Sequence, residues 1–121
     1  MVRSLALAVA LALGTVCVPA HALGLGDIES RSALNQHFDL LGKHIVSCHA
    51  KDVAWDVAMQ IQFREVTLGV GKLDYSTYLK RLAALPGDVP LMIEHMKGPE
   101  EYAKSRDHLF RLGAKIGVSF G

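Results

Sequence analysis

The residues with the clearest chemical potential are His49 and Glu94, each set at the end of a short apolar run. His49 follows Ile45 and Val46 in the stretch KHIVSCHAKD, residues 43–52, where the β-branched pair favours a strand and Gly42 breaks the chain just before. Leu91-Met92-Ile93-Glu94-His95 repeats the design with a carboxylate in the equivalent place. An imidazole and a carboxylate at adjacent strand ends can share one cation, since neighbouring strands lie about 4.8 Å apart and metal–ligand bonds are about 2 Å long. Such a mixed donor pair favours Mn, Co, Zn or Mg over a soft metal.

Several elements must form to bring those two side chains together. Residues 43–49 and 90–94 are predicted as buried strands. Phe38, Asp39, Leu40 and Leu41 read as the last turn of a helix ended by Gly42. Val57, Met59, Ile61 and Phe63 alternate with Ala58, Gln60, Gln62 and Arg64, a period of two that predicts an extended arm or hairpin inside a long loop. Gly69-Val70-Gly71 allows a tight turn. Asp74 can cap a helix reaching about Leu85, with Tyr78, Leu79, Leu82 and Leu85 on one face and Pro86-Gly87-Asp88 as its stop. Pro99 suits the first position of a last helix, with Glu100 and Glu101 in its positive first turn. Tyr102, Leu109, Leu112 and Ile116 would mark its inward stripe. Strands alternating with helices predict an α/β fold with a parallel sheet, whose C-terminal strand ends open on one side. Ligand sites belong there.

The neighbours of the pair read more plainly. Cys48 and His49 are consecutive on a strand and point to opposite faces, so they cannot act as nucleophile and base; Cys48 reads as core. By the same alternation His95 should point away from Glu94. Lys51 shares the parity of His49 and could reach a substrate oxygen or phosphate, and Arg64 is a second candidate for substrate contact. Asp52 reads as a loop cap rather than a ligand, and Trp55 as a packed aromatic or a pocket wall. Gly69 and Gly71 flank a single residue, too little for a phosphate loop. His37, His44 and His108 show no ligand spacing.

The 121-residue chain has room for one small domain, and its 13 basic residues nearly balance 12 acidic ones. It has no basic tract for nucleic acid and no lysine-rich amphipathic helix for a membrane surface. Residues 1–22 have the parts of a secretory signal: Arg3, an apolar run, then Ala20-His21-Ala22 as a cleavage site. The apolar run is shorter than the roughly 20 residues of a membrane span. Cleavage would leave Cys48 as the lone thiol, which suits a reducing compartment. The chain would thus be exported if the signal is used and cytoplasmic if it is not. Residues 23–37, with two glycines and no core of their own, are predicted as a tether or a stray first strand.

Two resemblances extend these readings. The signal and the phrase LGLGDI…SALNQ resemble the start of FimV-type pilus-assembly proteins over residues 1–36. That likeness implies an exported cell-envelope protein with no enzymatic activity. Residues 38–120 resemble the C-terminal end of sugar phosphate isomerases/epimerases of the xylose-isomerase-like TIM-barrel class, through IVSCHAKDV, REVTLGVGKLDYSTYLKRL and PLMIEHMKGPEEY. This second likeness implies a partial (β/α)8 barrel, about its last two βα units, and a small sugar or sugar phosphate as substrate. It makes His49 and Glu94 ligands of a divalent metal that polarises the ketose carbonyl. Glu94 then doubles as one of two carboxylates that move a proton at the adjacent carbon. The family's other glutamate and its aspartate ligand come from earlier strands, which no sequence before residue 38 supplies. On that basis turnover is not expected of this chain, and two strands would leave a sheet edge open to self-association.

Overall fold

The computed structural model describes residues 27–57 and 61–121. The predicted signal at residues 1–22 and the start of the tether lie outside these residues. Among them, no helix is long and apolar enough to cross a membrane. The fold is mixed helix and strand, with two small sheets.

Helix α1 spans Asp27–Leu41, and from Asp27 onward it replaces the tether expected over residues 23–37. The cause is a stripe at four-residue spacing. Ser30, Leu34 and Phe38 fall on one helix face, and all three are buried in the core. The predicted last turn before Gly42 is present, followed by a 3-10 turn at Gly42–His44.

Strand β1 is only Cys48–Ala50, much shorter than the predicted residues 43–49. The β-branched character of Ile45 and Val46 does not suffice, because a strand needs a ladder partner. The partner is β4, Leu91–Ile93, itself trimmed at both ends relative to residues 90–94. The pair is parallel, as alternation of strands and helices predicts, with Cys48 opposite Leu91, His49 opposite Met92 and Ala50 opposite Ile93. The Cys48 N–H donates to the Pro90 carbonyl at 2.9 Å, and the Glu94 N–H donates to the Ala50 carbonyl at 3.3 Å.

Strands β2 (Asp52–Val57) and β3 (Ile61–Val66) pair antiparallel, so the period-two segment is a hairpin. The side chain of Trp55 lies outside the described residues. The hairpin's base is tied by Asp52, which is 1% exposed. Its Oδ2 accepts from the Gly69 and Gly71 N–H groups, both at 2.9 Å, and its Oδ1 accepts from Val53 at 3.0 Å and Leu73 at 3.1 Å. Burial pushes the Asp52 pKa up, and the four backbone donors pull back against that push. A Cβ at Gly71 would overlap Asp52 Oδ1, so this turn needs a glycine. Asp52 is thus the loop cap its position predicts.

Helix α2 spans Tyr75–Ala83 and is capped by Asp74, whose Oδ1 accepts from the Thr77 N–H at 3.0 Å. Tyr75, Tyr78 and Leu79 are buried, and Leu82 and Leu85 pack against them. Two ion pairs bind α2 to α1, Arg31 with Asp74 and Arg81 with Asp39. Helix α3, Pro99–Ile116, starts on its proline and ends at Gly117, which adopts the left-handed conformation at φ 77°. Its inward stripe keeps Leu109, Leu112 and Ile116 but not Tyr102, which is 41% exposed. Ser105 is the buried residue of that first stretch. Its hydroxyl accepts from the Leu68 N–H and donates to Met96 Sδ, contacts no apolar pattern reveals.

Candidate functional site

Burial along β1 fixes which way His49 looks. Cys48 and Ala50 are fully buried on one face, so His49 and Lys51 leave by the other. On β4, Met92 is exposed on that same side, and Glu94 follows two residues later. The parallel register therefore brings the predicted pair together. His49 Nδ1 lies 2.5 Å from Glu94 Oε1 at the C-terminal ends of the two strands.

Helix α2 holds that strand end in place. The Tyr78 hydroxyl donates to the His49 carbonyl at 3.1 Å, and the Tyr75 hydroxyl donates to the Lys51 carbonyl at 2.8 Å. The two rings meet edge to face, 5.9 Å apart. Each residue thus spends its apolar body on the core and its polar tip on the site strand. The helical pattern marks Tyr78 as core, but nothing in the sequence says where either hydroxyl goes.

Three more charged or polar side chains converge on the pair. Lys51 Nζ is 3.1 Å from Glu94 Oε2 and 3.9 Å from Glu65 Oε1. His95 Nδ1 is 2.7 Å from Glu65 and 3.4 Å from Lys51 Nζ, while its Nε2 is 3.7 Å from Glu94 Oε2. The alternation that should turn His95 away from Glu94 fails because His95 takes a left-handed backbone, φ 61°, once the strand has ended. Glu65 is the member that sequence reasoning misses. Val53 pairs with Glu65 and Ala54 with Arg64, so the hairpin register presents Glu65 to the cluster and sends Arg64 out on the opposite face.

The electrostatics follow from these contacts. The His49 ring and the Lys51 ammonium hold the Glu94 carboxyl below the ordinary range, so it is a carboxylate at neutral pH. Burial pushes the Cys48 thiol up, against a weaker opposing contact from Tyr78, and makes it a core group rather than a nucleophile. Clefts among the described residues lie elsewhere. One of about 920 Å³ opens between α2, the start of β4 and the C-terminal residues, and one of about 270 Å³ lies beside Asp74 and His108.

The donor chemistry fits a divalent cation in part. His49 Nδ1 is buried, its one close polar neighbour being the Glu94 oxygen 2.5 Å away, and it makes no hydrogen bond of ordinary geometry. An imidazole nitrogen beside a carboxylate suits a hard-to-borderline cation. Among the described residues, however, no three His, Cys, Asp or Glu side chains form a group that could hold a metal ion. Two donors are in place, and water, substrate or further chain would have to complete the shell. No protein-family model, curated protein or solved structure matches the chain.

Proposed function

We propose that residues 38–120 are the last two βα units of a barrel of the sugar isomerase/epimerase class, carrying part of a metal-dependent site. One observation supports this above all: the 2.5 Å approach of His49 Nδ1 to Glu94 Oε1 across adjacent parallel strand ends. His49 and Glu94 are the metal ligands in this reading. When bound, the cation would polarise a sugar carbonyl and its neighbouring hydroxyl. Glu94, kept as a carboxylate, takes or returns the proton at the adjacent carbon. Lys51 is the side chain proposed to meet sugar or phosphate oxygens; Arg64, the other side chain expected to do so, lies on the hairpin face turned away from the pair. With one carboxylate in the proton-transfer role and two metal donors, these residues alone do not turn substrate over. Strands β1 and β4 pair only with each other among the described residues, and their outer edges are where further strands, including those of a second copy, would join.

The test is a titration with Co²⁺ followed by its visible absorption, which reports imidazole ligation. The wild-type chain should develop a band that His49→Ala and Glu94→Gln lose. The band should shift when a ketose or ketose phosphate is added, because sugar oxygens replace water on the cation. Identical spectra for wild type and His49→Ala would remove His49 from the site. A band unaffected by any ketose would remove the sugar.

A further inference from the structure

We propose that Lys51 is a built-in cation that occupies the site in place of a divalent metal, so that loading the metal requires displacing the ammonium from Glu94. The inference rests on the reading of His49 and Glu94 as metal ligands. Its basis is the position of Nζ, 3.1 Å from one oxygen of Glu94 while the other oxygen faces His49. The Lys51 side chain is 20% exposed, so the ammonium sits within the cluster rather than in bulk water.

Charge and anchoring both point the same way. With both imidazoles neutral, Glu65, Glu94 and Lys51 together carry one net negative charge, and a divalent cation would reverse that sign. Two positive centres a few ångströms apart repel even in water-like surroundings. The backbone at Lys51 cannot retreat to relieve this. Its carbonyl is held by the Tyr75 hydroxyl, and Asp52, the next residue, is fixed by four backbone N–H groups. Only the flexible side chain can move. Glu65 Oε1, 3.9 Å from Nζ, gives it a second carboxylate to move toward. Lys51 can therefore yield Glu94 without losing every counter-charge.

The proposal predicts that removing the charge tightens metal binding. Mn²⁺ titrated into the full chain, with free Mn²⁺ read by electron paramagnetic resonance, gives the dissociation constant directly. Removing one like charge about 5 Å from a dication at water-like screening changes affinity by roughly tenfold or more. Lys51→Met should bind at least that much tighter than wild type, and Lys51→Arg, which keeps the charge, should stay within about threefold of it. His49→Ala in the Lys51→Met background should abolish the gain. Far-ultraviolet circular dichroism and the urea midpoint of each variant establish that the fold is retained. Equal or weaker binding by Lys51→Met, alongside His49-dependent binding by wild type, would overturn this role of Lys51 while leaving the metal reading intact. Absence of His49-dependent binding in both forms would overturn the metal reading and this inference with it.

Discussion

Asp52→Asn isolates the contact on which the site's geometry most depends. The carboxylate accepts four backbone N–H bonds, two on each oxygen, and its residue is 1% exposed. Asparagine is nearly the same shape but has one acceptor oxygen and one NH₂ donor. Whichever way the amide turns, two N–H groups, those of Gly69 and Gly71 or those of Val53 and Leu73, face a donor. Leaving a buried donor unsatisfied costs about 1–3 kcal/mol, so two cost roughly 2–6 kcal/mol. A neutral amide is easier to bury than a carboxylate, which offsets part of this and leaves a net loss of about 1–4 kcal/mol. For a domain of this size that is a fall in Tm of roughly 5–25 °C. Urea denaturation followed by circular dichroism measures it, with an unchanged slope expected because the same surface is exposed. A variant within about 0.5 kcal/mol of wild type would refute the picture of Asp52 as the tie between the hairpin base and the 69–73 turn.

Other measurements test the remaining parts. Leu34→Ala should destabilise the chain by about 2–5 kcal/mol, since Leu34 is 1% exposed within the core; a neutral result would return residues 27–41 to the status of a tether. Burial pushes the Asp74 carboxyl up, but hydrogen bonds from Arg31 Nε, the Thr77 N–H and the Thr77 hydroxyl outweigh it and hold its pKa low. The folded pKa is thus below the unfolded one. Its contribution is complete above about pH 4 and is lost as pH falls through the folded value. Urea midpoints between neutral pH and about pH 2.5 should show this decline, and Asp74→Asn should flatten it. Cys48 is fully buried with its thiol pushed up, so iodoacetamide at pH 8 should label it only in denaturant; labelling mapped to the Cys48 peptide of the native chain at the rate of a free thiol would contradict its core position.

The helices were legible because their signals are local. Asp74 as a cap and Pro99 at a start each act within one turn of their own residue, and each stands where it was expected. The strands were less so. Ile45 and Val46 have strand-forming side chains, yet neither joins β1, because ladder length is decided by a partner some forty residues away in sequence. Helix α1 was legible only in its last turn, and the rest was hidden for a different reason. Its buried face includes Ser30, whose hydroxyl accepts from the Asp74 N–H, and a polar residue on the inward face hides the stripe from any search for apolar spacing.

The site divides along the same line. His49, Lys51 and Glu94 could be placed together because strand parity and a parallel sheet are enough to put them on one face of one edge. Glu65 and His95 could not, since each depends on something parity does not contain. Choosing Glu65 over Arg64 requires the hairpin register, fixed where Asp52 ties the ribbon's base to the 69–73 turn. Turning His95 back toward Glu65 and Glu94 requires one left-handed residue after a strand that ends sooner than its composition suggests. Glu65 comes from the hairpin and His95 from the segment after β4, and both bear on charge rather than on ligand identity. Glu65 offers Lys51 a second carboxylate, and His95 bridges the two. The two parallel strands therefore bring His49 and Glu94 together, while the hairpin and the residue after β4 set the charges around them.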